Sequence, residues 1–470
     1  MTNASAEPAI DLAALLGASL AQWAVDARLE PAGDAAVVRW GDGAAVRIGR
    51  RRAADGTGAA WTLDDEPLAS VLEVLREVRH AVDPDFAPAR LRIGPPPPDD
   101  EDGPGIRDFD PRRGTEGAVG RLPVFVLTGF LGSGKTTLLN RLLRAEGFRD
   151  TAVVVNELGA IGIDHLLVES SDDDSVVELA GGCLCCAVRG DLARTLSELV
   201  ARREAGACAP FSRILIETSG LADPTPIESL LLADPALAER MKLAGVTACV
   251  AATTGDSVLD RYPEAVRQVA AANLLVTTKT DLAAVPAALD ERLRYINPGA
   301  NRVAAEFGRV RPADGAADNA ETDGTHADVL PLRRFSRRLP APASDESVPH
   351  AVGIDTFTLV RHEPIAGAAL TLFLRALVEH AGPRLLRLKG FVEIAEAPGR
   401  PVTVNGAGHV FEPVEPRSSG WPGPDRRSRL VLIGEGISAP WCDRMLDALD
   451  LDVREAARFR GYTSQRTGTA

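Results

Sequence analysis

Lysine is almost missing from this chain of 470 residues: Lys135, Lys242, Lys279 and Lys389 are the only four, and arginine supplies the rest of the positive charge. Arginine replaces lysine readily on a solvated surface, but its planar fork cannot stand in for a compact ammonium inside a phosphate cradle. A basic field is lacking as well. The net charge of −14 leaves nothing to gather nucleic-acid phosphates, which argues against a general nucleic-acid binder. No apolar stretch approaches the ~20 residues that span a bilayer. The N-terminus carries Glu7 and Asp11 early and has no basic segment, unlike a secretory signal. Cysteine is sparse: six residues, of which Cys183, Cys185 and Cys186 crowd into four positions while Cys208, Cys249 and Cys442 stand alone. That crowding suits a thiolate metal site in a reducing compartment better than a disulfide framework. The expectation is a cytoplasmic protein of two to four domains that engages neither nucleic acid nor membrane.

What is present is a complete phosphate-binding loop. Gly129-Phe130-Leu131-Gly132-Ser133-Gly134-Lys135-Thr136-Thr137 matches G-x-x-x-x-G-K-[ST] in full, between an apolar strand at Leu122–Leu127 and a helix from Thr137 to Ala145. The glycines let backbone N–H groups turn inward around a phosphate, and the helix N-terminus adds partial positive charge. Lys135 is then placed for the β/γ-phosphates, and the Thr136 hydroxyl for Mg²⁺. Two of the four lysines, Lys135 and Lys279, fall inside nucleotide motifs.

Around this motif the chain divides into segments. Residues 1–93 read as a small α+β extension: a helix at Ile10–Leu29, strands Ala36–Trp40 and Ala45–Ile48 flanking Gly41-Asp42-Gly43, and a second helix at Pro67–Val82. No chemical motif lies there. Residues 94–120, with four consecutive prolines followed by an acidic run, read as a solvated linker. Over 121–312 short β-branched runs alternate with helical patterns, the signature of a doubly wound, mainly parallel α/β sheet of the P-loop NTPase type. Residues 313–349 are acidic and apolar-poor and read as a mobile connection, and 350–460 as a C-terminal α+β domain.

Three further groups carry chemistry. In extended backbone Cys183 and Cys185 project to one side, and Cys186 can join them at a turn. Soft thiolates favour Zn²⁺ or Cu(I), and three local ligands leave a fourth position exchangeable. Ile214-Leu215-Ile216 leads into Glu217, and Asn156-Glu157 ends the strand after the phosphate-loop helix. Both carboxylates are expected at the edge beside the γ-phosphate, where they can hold Mg²⁺ through water or orient an attacking water. Thr278-Lys279-Thr280-Asp281 follows a late strand. There Asp281 can accept from the N1–H and 2-amino group of guanine while the stem of Lys279 lies along the ring.

In order, TGFLGSGKTTLLN, VVVNELGAIGID, ELAGGCLCCAVRGDL, ILIETSGLADP and TKTDL resemble the CobW-type metallochaperone GTPases. RLLRLKGFVEIA and DRRSRLVLIGEG are similar to that family's second domain, so the resemblance covers roughly residues 121–455. It implies slow GTP hydrolysis, with Mg²⁺, coupled to delivery of Zn²⁺ or Co²⁺ to a client metalloprotein. In that reading Lys135, Glu157 and Glu217 serve catalysis. Gly129, Gly132, Ser133, Gly134, Lys135, Thr136, Thr137, Thr278, Lys279 and Asp281 hold the nucleotide, and Cys183, Cys185 and Cys186 hold the cargo. Four features depart from the family. Ala160 stands where a glutamate is usual, Ala251 where an aspartate is common, and Thr278 where the base motif has asparagine. The connection before the C-terminal domain has a single His326 in place of a histidine-rich tract. Two other readings stay open, a P-loop small-molecule kinase and a weakly hydrolysing nucleotide and metal sensor or maturation partner. Self-association is open too.

Overall fold

The computed structural model describes residues 10–93 apart from 33–34, 42, 53–58 and 69; 121–156 apart from 145–147 and 149; 176–178; 188–307; 309–312; and 353–467 apart from 413, 418–419 and 422–423. The expected linkers, together with Glu157, Ala160, Cys183, Cys185 and Cys186, lie outside these residues.

The N-terminal unit runs from helix α1 (Leu12–Trp23) through β1 (Ala27–Ala32), β2 (Ala35–Trp40), β3 (Ala44–Arg52), β4 (Ala59–Leu63) and β5 (Glu66–Leu68). Helix α2 (Val71–Val82) and the short β6 (Arg92–Ile93) follow. Strands β1 to β5 make an antiparallel meander in chain order. The turn between β2 and β3 falls at the glycines that predict it, Gly41 and Gly43, with φ of 53° and 105°. Two helices differ from expectation. The first stops at Trp23, capped by Ala24 in a left-handed conformation, and Leu29 instead pairs with Val38 in the sheet. The second starts only at Val71, because the Ser70 hydroxyl accepts from the Glu73 N–H and caps it there, while Pro67 pairs with Thr62.

The central domain contains β7 (Leu122–Gly129), α3 (Lys135–Leu143), β8 (Thr151–Asn156), β9 (Val176–Glu178), α4 (Val188–Glu204), β10 (Arg213–Thr218), α5 (Thr225–Ala233) and α6 (Pro235–Arg240). It continues with β11 (Met241–Ala251), α7 (Gly255–Arg261), α8 (Pro263–Ala271), β12 (Leu274–Thr278), α9 (Ala287–Ile296), β13 (Asn301–Glu306) and β14 (Arg309–Pro312). The strand order is β14-β13-β12-β11-β7-β10-β8-β9, parallel throughout except for the antiparallel edge strand β14. Successive side chains of a strand point to opposite faces, and the two faces are packed accordingly. Val124, Val126, Ile214 and Ile216 meet Leu192 and Leu196 of α4 and Ile227 of α5. Phe125, Leu127 and Leu215 meet Leu138, Leu139 and Leu142 of α3. Helices on both faces leave only the strand ends for ligands.

The C-terminal domain is a separate, mostly antiparallel sheet. Its elements are β15 (Ile354–Arg361), α10 (Gly367–Ala381), β16 (Leu385–Val392), β17 (Val402–Ala407), β18 (Val410–Phe411), β19 (Glu415–Pro416), β20 (Ser428–Glu435) and α11 (Ala439–Thr467). Its order is β15-β20-β16-β17-β18-β6, with β19 on β17, so the last strand comes from the N-terminal segment. The two terminal regions share one hydrophobic core: Leu15, Leu16, Trp61 and Leu75 pack with Phe373, Leu377, Trp441 and Leu446. Polar bonds cross the same boundary. Gln22 donates to the Gly436 carbonyl and accepts from the Ser438 N–H, both at 2.7 Å. Asp452 accepts from the Trp61 indole at 2.8 Å and from the Val71 N–H at 3.0 Å.

Candidate functional site

The phosphate loop leaves β7 at Gly129, which a strand register places opposite Cys249 of β11. Gly129 has φ of 139°, and a Cβ there would lie 2.5 Å from the Cys249 carbonyl oxygen and 2.7 Å from the Ser133 hydroxyl, so only glycine fits. Gly134 (φ 89°) caps α3 in the left-handed region, which starts the helix at Lys135, two residues earlier than the sequence pattern implies. Thr137 is exposed in its first turn, and Thr136 is half-buried. Lys135 is buried, its ammonium donating to the carbonyls of Gly129 at 2.8 Å and Phe130 at 3.3 Å. The ammonium is thus folded back over its own loop, held by the turn it serves.

Glu217 comes from β10, the neighbour of β7, in register with Leu127 on one side and Val155 on the other. It is buried, and the Thr136 hydroxyl donates to its Oε1 at 3.4 Å. Parallel pairing is what joins these residues: two adjacent parallel strands end at the same edge, one in the phosphate loop and the other in a carboxylate. Behind them Thr218 and Thr128 bond hydroxyl to hydroxyl at 2.8 Å. The following loop is fastened by a residue that no sequence signal marks. Gln268 of α8 donates its amide to the carbonyls of Gly220 at 3.2 Å and Ala222 at 2.9 Å.

Thr278 ends β12, and Lys279 and Asp281 follow it. The buried Thr278 hydroxyl donates to the Ser133 carbonyl at 2.5 Å, tying this loop directly to the phosphate loop. Lys279 adopts φ of 57°, a left-handed conformation uncommon outside glycine. Asp281 is half-buried, and the Phe307 N–H lies 3.5 Å from its Oδ1. Ala251 is buried at the end of β11 and offers no carboxylate there.

The expected metal residues are placed only in part. β9 pairs parallel with β8 and ends at Glu178, and α4 begins at Val188. β9 therefore ends at the same edge as the phosphate loop; Cys183, Cys185 and Cys186 lie outside the described residues, as does Glu157. Among the described residues no group of three His, Cys, Asp or Glu side chains could hold a metal ion. Cys249 and Cys442 are buried. Burial pushes the Cys249 thiol up to about 12 and raises that of Cys442 as well, so neither is a ready thiolate ligand. Cys208 is half-buried.

A doubly wound parallel sheet with this loop defines a P-loop nucleotide-binding protein. The CobW/HypB/UreG nucleotide-binding domain matches residues 123–304, and the cobalamin synthesis protein cobW C-terminal domain matches residues 354–450. The chain belongs to the CobW family through both domains. It is 36% identical over 176 residues to the zinc chaperone YjiA of Escherichia coli, covering 37% of this chain and 55% of that protein. To the zinc chaperone CobW of a Sinorhizobium species it is 29% identical over 348 residues, covering 67% of this chain and 93% of that one. The alignment to the first relative thus spans about half of that relative's length. The crystal structure of Zn(II)-bound YjiA GTPase shares the fold, with a TM-score of 0.50 at 24% identity over 70% of this chain and 99% of that one. Among the described residues no helix is long and apolar enough to cross a membrane.

Proposed function

We propose that this chain is a GTP-hydrolysing metallochaperone that binds zinc through Cys183, Cys185 and Cys186 and passes it to a client metalloprotein. The observation that carries the reading is the convergence at one sheet edge. The phosphate loop, the Glu217 carboxylate and the end of β9, which leads towards the cysteines in the chain, all lie at the same edge of the central sheet. The zinc-chaperone relatives support zinc over cobalt as cargo.

In this reading Lys135 turns from its own loop carbonyls to the β/γ-phosphates, a compact cation that exchanges one set of oxygen partners for another. The loop N–H groups and the N-terminus of α3 supply the rest of the phosphate cradle. The donor set fits a magnesium ion: Thr136 and Glu217 pair a hydroxyl with a buried carboxylate, hard oxygen ligands that suit this cation. Those two residues would hold it, and it would neutralise phosphate charge. Glu217, with Glu157, orients the attacking water. Asp281 reads the guanine N1–H and 2-amino group, and Thr278 holds that loop in register with the phosphate loop.

Metal and nucleotide are then linked, because the cysteine segment lies in sequence between β9 and α4, and β9 runs parallel to the strand that carries Glu217, one strand removed from it in the sheet. Segments at this position of P-loop proteins are ordered by triphosphate and released on hydrolysis. If zinc affinity changes with the nucleotide state, nucleotide affinity changes reciprocally by the same factor. The test is a competition titration of zinc against a chelator with GDP and with a non-hydrolysable GTP analogue. We expect zinc affinities differing by roughly 5- to 150-fold, about 1–3 kcal/mol, and no difference in Lys135→Ala. Equal affinities in the two nucleotide states of the unmodified protein would overturn the delivery reading.

A further inference from the structure

The described residues expose five large apolar side chains, Leu131, Leu221, Tyr262, Leu282 and Phe307, and all five rim the carboxyl edge of the central sheet. Four have a local account. Leu131 lies against Gly220, and Tyr262 stacks on Phe130 with ring centroids 4.4 Å apart. Leu221 belongs to the loop that Gln268 holds, and Leu282 opens the turn after Asp281, its N–H bonded to the Lys279 carbonyl. Phe307 is different. It is as exposed as Leu282, at 70%, but it alone of the five holds a positive φ, 48°, a conformation that a bulky side chain rarely adopts.

Its position sharpens the anomaly. Phe307 and Gly308 are the two residues between β13 and β14, whose last pair is Glu306 with Arg309. A two-residue hairpin of either common type needs φ above zero at its first central position and takes Asn, Asp or Gly there. A phenylalanine at that position works against the turn and gains nothing from burial. Backbone held in a sparsely populated region clusters at ligand sites, where the surrounding structure enforces it. Here the enforcement is visible. Thr280 donates through both its hydroxyl and its N–H to the Ala305 carbonyl, at 3.0 and 3.5 Å, and the Phe307 N–H faces Asp281 Oδ1 at 3.5 Å. The turn is therefore bound to the loop whose carboxylate is assigned to the base.

We propose that the Phe307 ring is a base-contacting group, an aromatic face against which the purine lies. This rests on the guanine reading of Asp281 and assigns the base a second contact that the sequence motif does not contain. Stacking on an aromatic face is blind to exocyclic groups, because every base presents a π-face. Phe307 therefore sets affinity for the base as a whole, and Asp281 sets which base.

The test measures diphosphate binding by calorimetry to the full chain and to Phe307→Gly, Phe307→Trp and Asp281→Asn. Glycine suits the positive φ, so Phe307→Gly keeps the turn and loses only the ring. GDP and IDP affinities are expected to fall by the same factor in Phe307→Gly, roughly 5- to 150-fold from the usual worth of one stacked base. Binding of inorganic pyrophosphate should stay unchanged, and Phe307→Trp should keep or raise GDP affinity. Unchanged GDP affinity in Phe307→Gly, or an equal loss in Phe307→Trp, would overturn the inference. Asp281→Asn tests the underlying reading separately: retained preference for GDP over ADP would refute the guanine assignment and leave the stacking result standing.

Discussion

Around the carboxyl edge of the central sheet, apolar side chains stand in solvent and a phenylalanine holds a strained turn. In the body formed by the N-terminal unit and the C-terminal sheet, no described large apolar side chain is exposed, and one core runs through both. The contrast separates two kinds of stability. At the edge the Lys135 ammonium is held by the carbonyls of its own loop. The composite body has to hold itself together from its own contacts, and it does so with segments from both ends of the chain. The proposed function uses the loops of the first region, and the second is packed from both terminal segments.

Between them lies a buried ion pair. Arg387 of β16 donates to Glu228 of α5, and both side chains are almost fully buried. Burial pushes the Glu228 carboxyl up, and Arg387 beside it opposes that rise. This pair joins the helix that follows the Glu217 loop to the C-terminal sheet. Removing one partner leaves a charge without compensation, so Arg387→Met is expected to lose about 3–5 kcal/mol of stability in urea unfolding. The double variant Arg387→Met, Glu228→Leu should recover most of that loss, since two apolar groups of similar volume replace a buried pair at little cost. A single variant as stable as the parent would erase the distinction between a rigid body and a ligand-dependent edge.

The next effect tests whether the composite body is as self-contained as it looks. His380 of α10 is buried and stacked between Trp23 at 5.1 Å and Phe86 at 5.6 Å, with Trp441 edge-on at 6.3 Å. Both ring nitrogens lack a hydrogen-bond partner. Burial, then Arg79, Arg76 and His80, lower its pKa from 6.5 to about 3. The unfolded chain therefore binds the extra proton, so this contribution is complete above pH 6.5 and fades as pH falls towards about 3. Each pH unit in that window should cost about 1.4 kcal/mol. Tm measured from pH 7.5 to 5.5 should fall more steeply in the parent than in His380→Leu, and parallel slopes would show that the histidine does not carry the effect.

The smallest effect sharpens the comparison from the other side. Thr278→Val keeps the volume and deletes the hydroxyl that donates to the Ser133 carbonyl. The stability lost should be about 1 kcal/mol, the usual net worth of one hydrogen bond. GDP affinity should drop about fivefold, the same energy read through binding, because the base loop and phosphate loop are no longer tied. Unchanged Tm and GDP affinity would mean that the two loops are held independently.

The phosphate loop was legible as a strand–glycine-turn–helix unit, because its geometry is dictated by neighbours in sequence, although its helix starts two residues earlier than the pattern implies. The parallel sheet was legible from β-branched runs separated by helical patterns. Helix ends were less so: Ala24 and Ser70 terminate helices through local conformation and capping that overrule a continuing apolar pattern. Gln268 and Phe307 carried no signal that a reader would weigh, one a lone polar residue in a helix and the other a phenylalanine beside a glycine. The N-terminal unit, which offers no motif, found its place only through its partner.

By itself the sequence determined the class of chemistry. A nine-residue run sets its own backbone, three cysteines in four positions set which ligand type is available, and a carboxylate near the end of a buried strand must emerge at that strand's edge. Each of these acts over a few residues, where covalent geometry leaves little choice. Tertiary structure alone decided how the pieces meet. The bond from Thr278 to Ser133 joins residues 145 apart in the chain, and that from Arg387 to Glu228 joins residues 159 apart. Gln22 reaches Gly436 across 414. Contacts at such separations follow from strand order and from apolar surfaces that must be covered, and neither leaves a periodic trace in the residues themselves.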